Sequence, residues 1–564
     1  MPPAFEGNDL YFGQGAEGSD RAVSLPAHHR DQHLYVCGAP RTGKSKFLEH
    51  LIRQDLRNRW KTGCGLLLID WHGRLYDDLL RWLAWEDLEI EEPVLLIDLR
   101  RDEDIVSYNL LRQRGPGAYP SVVVNTLVKD TAYVWGQSGT DQTPRFARIM
   151  NLILRILYLH QLSFMDSSHL ITRNITALKR AMTEQVEDTE LRDEWRFLNS
   201  LRPEKLNELL ESTVNRLWRF NQNPLMRSMF GQSGVSLDLR AALAKGHIIL
   251  VSLARGKGKA DEEDAETMAT LLLSDLWTAA QERGKSGDRA GSGPQPFYVY
   301  LDEFQRFVTP TLAENLDEAG GFGLHMTMAH QYPTQLLDRG EAGTRVYNSV
   351  MANASTKVVL RTAHQGDLEP LARQLFTGVM DPDQIKLILE ATRVLDYDEE
   401  TRLVQSNIEG GSAGTTSPID PPEDSNALSH ESSGSNWSHV TTEQTSLRPR
   451  MGTEISSVQF RSLEEQLHLA MAKINTLKRR QCLARMAESD RPVAFTTPEV
   501  SDAFDEPDRI EKYRRETLAK WPFVLSIEEA KRRLSIRSTE LEQRFLAPVH
   551  DPDDGPEAFR TPMD

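Results

Sequence analysis

Residues 38–45 read Gly-Ala-Pro-Arg-Thr-Gly-Lys-Ser, a complete GxxxxGK[ST] run. It sits between a short apolar stretch, His33 to Cys37, and a stretch of helical spacing, Ser45 to Trp60. A strand that turns through glycines into a helix is the setting in which such a run holds phosphate. The glycines let the backbone curl until successive N–H groups point inward, and the helix N-terminus adds positive potential. Lys44 is placed to reach the β and γ phosphates of a nucleoside triphosphate, and the Ser45 hydroxyl to ligate Mg2+. The octapeptide Gly38, Ala39, Pro40, Arg41, Thr42, Gly43, Lys44, Ser45 is therefore the candidate binding segment for ATP and Mg2+. It also commits the surrounding chain to an α/β layer structure.

Two further segments extend the site. Phe297-Tyr298-Val299-Tyr300-Leu301-Asp302-Glu303 is an apolar strand ending in two acids, the pattern of a Walker B segment. Asp302 is the candidate magnesium residue, acting through the ion's water shell, and Glu303 the candidate catalytic base that orients and deprotonates the attacking water. An apolar strand ending in Asp-Glu is common on its own; the phosphate loop upstream gives this one its meaning. Leu324 to His330 is another strand candidate, and Gln331 follows it. In a RecA-type sheet Gln331 would stand beside the γ-phosphate and sense hydrolysis, whereas elsewhere it is an ordinary polar strand end.

Apolar strand candidates at His33 to Cys37, Gly65 to Asp70 and Pro93 to Asp98 alternate with helical stretches such as Tyr76 to Trp85. This alternation marks a parallel sheet flanked by helices. From 108 to 245 helical spacing takes over, as in Phe146, Met150, Ile153, Leu154 and Leu157. Strand candidates return at His247 to Leu253, Phe297 to Leu301, Leu324 to His330 and Thr356 to Arg361. The expected organisation is a flexible arm over 1–30, an α/β domain over 31–107 and 246–405, and an all-helical insertion over 108–245. A disordered linker is expected over 406–455, where Ser, Gly, Thr, Pro and acids dominate. A return helix and strand follow over 456–500, with Pro492 to Thr496 as the strand, then a charged helical tail over 501–564.

Composition narrows the setting. Cys37, Cys64 and Cys482 are the only cysteines of 564 residues, and none lies in a CxxC or His-rich context, which argues against disulfide or thiolate-zinc chemistry. A net charge of -17 excludes a chain that coats nucleic acid over its whole surface, though not one with a local basic channel. The longest apolar run, Met150 to Leu159, is broken by Arg155 and is far short of a membrane span. The first twenty residues lack a signal-peptide pattern. A cytoplasmic location is expected.

Taken in order, these motifs resemble the HerA/FtsK superfamily of DNA-pumping ATPases, and within it the TraG/TraD-type conjugative coupling proteins of type IV secretion. Besides the two Walker segments, the resemblance rests on Leu68-Ile69-Asp70-Trp71-His72-Gly73, Ser107-Tyr108-Asn109-Leu110, Ala329-His330-Gln331-Tyr332 with Gln335-Leu336, and Asn353-Ala354-Ser355-Thr356-Lys357 before Leu360-Arg361. It spans roughly residues 33–375. It implies a RecA-like P-loop NTPase motor domain with an inserted all-helical domain and a helical C-terminal tail, a homo-hexameric ring, and ATP hydrolysis that drives DNA. It further implies a relaxase or membrane secretion-channel protein as partner, with recruitment to the inner membrane. A HerA-like translocase or helicase working with a nuclease, and an ATPase that remodels or recruits a protein, stand as alternatives.

Ring ATPases of this superfamily complete each site with an arginine from the neighbouring subunit. Arg361 is the first candidate here and Arg306 the second. In three places the chain departs from the family pattern. Gly320 stands where an arginine is usual, Trp71 where proline is common and Arg74 where an acid is common. The loop Arg255-Gly256-Lys257-Gly258-Lys259 reads equally as a phosphate-touching pore loop or as a solvated loop neutralised by the acids at Asp261 to Asp264.

Overall fold

A computed structural model of the chain describes residues 9–16, 21–86, 94–112, 120–136, 143–172, 174–256, 259–287, 294–411, 435–489 and 491–546. The strands in chain order are β1 Leu10–Gly15, β2 Ala22–Leu25, β3 Leu34–Cys37, β4 Gly65–Asp70, β5 Leu95–Asp98, β6 Asp104–Val106, β7 Ile248–Ser252, β8 Phe297–Asp302, β9 Leu324–His330 and β10 Thr356–Leu360. They continue with β11 Ile385–Gly411, β12 Ser435–Phe460, β13 Gln481–Arg485, β14 Val493–Thr496 and β15 Val524–Ser526. Eleven of them form one sheet in the order β2-β1-β14-β13-β10-β3-β9-β8-β4-β7-β5. From β10 to β5 every neighbouring pair is parallel. These strands are buried on both faces, as in β4, where all six residues from Gly65 to Asp70 are buried, which explains why they read as continuous apolar runs. The fold is the RecA-like α/β type.

The phosphate loop leaves the C-terminal end of β3 and enters α1, Lys44–Thr62. The acid pair leaves the same end of β8, and β9 lies between the two strands. This order places three chain segments around one point, because open parallel sheets bind ligands at the carboxyl ends of their strands.

Two expectations need correction in this unit, and the expected C-terminal tail, helical over Pro507–Leu518 and Ile527–Leu546, gains a short strand. The N-terminal segment is not a free arm: β1 and β2 form the far edge of the sheet, with β1 antiparallel to β14. Phe12 is fully buried there, its ring stacked 5.7 Å from Phe495 and edge-on 5.4 Å from Phe47. A bulge between Tyr11 and Gly13 breaks the alternation that would have marked the strand. The return over 456–500 supplies two strands rather than one, β13 and β14, and β13 pairs antiparallel with β10. The C-terminal segment is also docked. β15 pairs with β6, and the helix Ile527–Leu546 packs on the inserted helices Ala177–Glu184 and Pro224–Phe230. Arg537 donates to both carboxylate oxygens of the buried Asp166, at 3.2 and 2.8 Å. Residues 547–564 of the expected tail lie outside the described residues.

Between Pro120 and Lys245 the described elements are all helical. The helix Thr143–Leu159 buries Phe146, Met150, Ile153, Leu154 and Leu157, the spacing that marked it in the sequence.

Residues 380–466 form a second compact unit. Here β11 and β12 pair antiparallel along their length, from Ile385 opposite Phe460 to Gly411 opposite Ser435. The boundary at 405 and the linker expected over 406–455 are thus revised: 385–411 and 435–460 are strands, and 412–434 lie outside the described residues. Composition misled because a two-stranded ribbon satisfies its backbone without a core. Opposite charges face each other across it, Asp396 opposite Arg450 and Asp398 opposite Arg448. Its side chains from 385 to 406 are all exposed, and such a ribbon adds little stability by itself. The two ends meet where the Arg461 N–H donates to the Gln384 carbonyl at 2.9 Å. Replacing 385–460 by a short Gly-Ser turn should leave a folded protein whose thermal midpoint moves by less than about 2 °C, read by circular dichroism. A loss of many degrees would mean that the ribbon carries stability its exposure does not explain.

Candidate active site

The phosphate loop is shaped by local backbone chemistry. Gly38 N–H donates to the His330 carbonyl at 3.2 Å and Ala39 N–H to the Arg361 carbonyl at 2.9 Å, so the loop is tied to β9 and to the end of β10. The Thr42 hydroxyl donates to the Ala39 carbonyl at 2.7 Å, closing the turn. Gly43 adopts φ 117, a conformation that side chains resist, and Lys44 then opens α1. Ser45 lies in the first turn of that helix, half-buried.

Lys44, Asp302 and Glu303 meet in the interior at this end of the sheet. The Lys44 Nζ is 2.7 Å from Glu303 Oε1 and 3.6 Å from Asp302 Oδ1, and all three side chains are buried. Glu303 sits at φ 56, ψ 45, a left-handed conformation unusual for glutamate and of the kind that clusters at functional sites. That backbone turns its carboxylate toward Gln331, whose Nε2 donates to Oε1 at 3.1 Å, and toward Gln305, whose Nε2 donates to Oε2 at 2.8 Å. Gln331 is therefore tied to Glu303, which in turn bonds Lys44 of the phosphate loop.

The two acids titrate in opposite directions. Burial pushes the Asp302 carboxyl up to about 6; Lys44 opposes this, while Asp70 and Glu303 add to it. Burial also acts to raise Glu303, but the Lys44 ammonium and the hydrogen bonds from Gln305, Lys44 and Gln331 outweigh it and hold the carboxyl at about 2. Burial works against the Lys44 ammonium, yet Asp302 and Glu303 prevail and raise its pKa. His330 is pushed down to about 3 by burial and then by Lys44, so it is neutral, with its Nε2 2.6 Å from the Tyr35 hydroxyl.

The donor set suits a magnesium nucleotide. Asp70 lies opposite Asp302 across β4 and β8, but its oxygens are occupied by the N–H groups of His72 at 3.0 Å and Tyr76 at 2.9 Å. Asp302 Oδ1, in contrast, is buried without a hydrogen-bond partner. Lys44 faces two acids, and an orphaned carboxylate oxygen beside a phosphate-shaped loop matches the hard oxygen ligands that Mg2+ requires.

The arginine candidates separate. Arg361 is exposed at the end of β10, beside the loop that its carbonyl anchors. Arg306 is engaged: it pairs with Glu262 and lies over the Trp71 ring, 5.2 Å from its centroid. At Gly320 a Cβ would lie 2.3 Å from the Asp31 carbonyl oxygen, so the backbone of the preceding segment occupies the space of any side chain there. In the basic loop, Lys257 and Gly258 lie outside the described residues. Arg255 pairs with Glu262 at 3.2 Å and Lys259 with Asp102 at 2.5 Å, which is the self-neutralised reading for those two.

One neighbour of the loop escaped the sequence. Arg480 N–H donates to the Thr42 carbonyl at 2.9 Å, and the residue holds φ 70 just ahead of β13. Its only signal was the run Lys478-Arg479-Arg480 before a strand, which has no meaning until that strand is known to lie beside β10.

No protein-family model matches this chain, and no curated protein matches it. Among solved structures it is similar to the bacterial conjugative coupling protein TrwBdeltaN70 in an unbound form, with 14% identity, a TM-score of 0.49, and coverage of 89% of this chain and 96% of that one. It is similar to the plasmid coupling protein TrwB in complex with ADP and Mg2+, with 15% identity, a TM-score of 0.48, and coverage of 88% and 96%. It is also similar to VirB4 of Thermoanaerobacter pseudethanolicus, with 14% identity, a TM-score of 0.40, and coverage of 66% and 88%.

The Asp302 environment sets a pH dependence. A carboxyl that binds its proton more tightly in the folded state than in the unfolded one, near pH 4, loses the native state stability as pH rises from about 4 through about 6. Asp302→Asn removes that loss. Without nucleotide or magnesium, the variant should be more stable than the parent by about 1–3 kcal/mol above pH 6, with the difference vanishing below about pH 4. Urea unfolding at several pH values reads this out, and equal stability at neutral pH would contradict the assigned strain.

Proposed function

We propose that this chain is an ATP hydrolase of the P-loop type whose turnover drives DNA through a ring of identical subunits. The observation that carries the ATPase reading is the buried meeting of Lys44 with Glu303 and Asp302, at 2.7 and 3.6 Å, at the mouth of the phosphate loop. Bound Mg2+ would supply charge neutralisation at the phosphates. Ser45 and Asp302 would hold it, and the loop from Gly38 to Ser45 would hold the phosphates. Lys44 exchanges its acid partners for the β and γ phosphates. That exchange matters for Glu303: a carboxylate held near pKa 2 is a weak base, and withdrawing the Lys44 charge raises its basicity. Glu303 then orients water and accepts its proton, while Gln331, already bonded to Glu303, reports the state of the site.

The DNA task rests on the order of motifs shared with coupling proteins and on the helical insertion between β6 and β7. Arg361, exposed beside the loop, completes the site of a neighbouring subunit in this reading. A relaxase or a secretion-channel protein is the partner expected of a transfer motor. A second reading, in which the ATPase remodels or recruits a protein partner without threading DNA, is favoured by the pairing of Arg255 and Lys259 with Glu262 and Asp102. That pairing occupies two of the three basic side chains of the loop.

Lys44→Ala should abolish productive binding or turnover, and Glu303→Gln should bind nucleotide normally while lowering kcat by about 10²–10⁴-fold. Equilibrium binding of a fluorescent nucleotide together with phosphate release tests both, and normal turnover in either variant would sink the site. Single- and double-stranded DNA should each be tested as activators. If neither changes hydrolysis while a protein partner raises it, the motor acts on protein. Mixing Arg361→Ala with Lys44→Ala protein should restore part of the activity through mixed interfaces, and no recovery would remove Arg361 from that role.

A further inference from the structure

A second cluster of ligating side chains lies at the opposite end of the sheet from the phosphate loop. His28 and His29 belong to a 3-10 helix, Ala27–Gln32, just ahead of β3. Glu488 lies in the turn between β13 and β14. Strand register brings these distant segments together: Leu34 at the start of β3 pairs with Thr356 of β10, and Lys357 of β10 pairs with Arg485 at the end of β13. We propose that His28, His29 and Glu488 form a binding site for one Zn2+ ion, which clamps the segment ahead of β3 to the β13–β14 turn.

The geometry carries this assignment. One ligand atom from each residue lies within 4.8 Å of the other two, and His29 Nε2 is 3.1 Å from Glu488 Oε1. Ligands on a tetrahedral zinc ion stand about 3.3 Å apart, given bonds of about 2.0–2.1 Å, so one edge of the tetrahedron is already set. Successive residues of a 3-10 helix point about 120° apart. Yet the His28 and His29 rings converge, with centroids 4.1 Å apart. The His28 ring is thus turned toward the His29–Glu488 pair. His29 is buried whereas His28 and Glu488 are exposed, which leaves an open side for the ion to enter and for water as fourth ligand.

The platform is fixed. Arg30 is paired with Asp55 at 2.6 and 2.8 Å. His33 Nε2 lies 2.9 Å from the Leu316 carbonyl, and its Nδ1 accepts the Met326 N–H at 3.2 Å. Two of the three ligands therefore sit on an element held in place before any ion arrives. Two imidazoles with one carboxylate suit zinc over the harder Mg2+, so the site is chemically distinct from that at Asp302.

The test uses the full chain, stripped with EDTA and exchanged into buffer with millimolar Mg2+ and one equivalent of Zn2+. Elemental analysis after gel filtration should find one zinc per chain, and Co2+ in its place should give visible d–d absorption. Glu488→Gln and His28→Asn both alter exposed side chains and should fold normally; each should weaken zinc affinity at least tenfold and remove the zinc-dependent rise in thermal midpoint, with basal ATP turnover unchanged. No retained zinc, or zinc retained equally by both variants as it would be if held at Asp302, overturns the proposal.

Discussion

A lysine ammonium and three carboxylates withdrawn from water at one end of a parallel sheet form the constraint on which the rest of this structure depends. At an effective dielectric of about 20, two unit charges 4 Å apart interact by about 4 kcal/mol. Every residue that fixes their spacing therefore matters. Lys44 can balance only part of the charge on Asp70, Asp302 and Glu303, and the surplus falls on Asp302, whose Oδ1 has no hydrogen-bond partner. The neighbours comply with this. His330 stays neutral against Tyr35, and Cys37, beside the loop, is pushed up to about 12 by burial and stays a thiol. A second ionised group at either position would upset the balance that lets Lys44 remain buried.

The N-terminal segment shapes the other side of the same layer. Arg30 lies 3.4 Å over the Tyr298 ring and pairs with Asp55 on α1, and Tyr300 donates to Asp55 at 2.6 Å. The Walker B strand and the phosphate-loop helix are thereby fastened together away from the nucleotide end. The next residue, Asp31, brings its carbonyl so close to Gly320 that no side chain fits there. Glycine at 320 is thus a packing requirement of this chain. Arg361, by contrast, is exposed and next to the phosphate loop.

The central strands were legible because both their faces are buried, so local apolar runs alone mark β3, β4, β8 and β9. The site was legible for a related reason: Gly38 to Ser45 and Asp302-Glu303 carry their chemistry in contiguous residues. What escaped was set by distant pairing. Tyr11 to Gly15 reads as a polar, Gly-rich arm until Phe495 supplies the other half of its packing. Gln481 to Arg485 is too short and mixed to declare itself a strand without β10. The ribbon of β11 and β12 has the composition of a linker, because cross-strand pairing, invisible to local hydropathy, is what orders it.

These long-range pairings also explain why residues more than 400 positions downstream belong beside the phosphate loop. The outer carbonyl of that loop, on Thr42, accepts from Arg480, and the Arg480 carbonyl in turn accepts the Thr497 N–H at 2.9 Å. The loop is framed on one side by β9 and β10 through Gly38 and Ala39, and on the other by the strands that follow the ribbon. A chain can leave the sheet after 379 and return near 467 only if the returning strands find a specific edge. The antiparallel edge of β10, next to the strand that launches the phosphate loop, is that edge. Arg480 is held in a left-handed turn there by hydrogen bonds on both sides, without the glycine such a turn usually requires. The conformation of the loop and the docking of the C-terminal strands are therefore one structural problem, solved at a single residue.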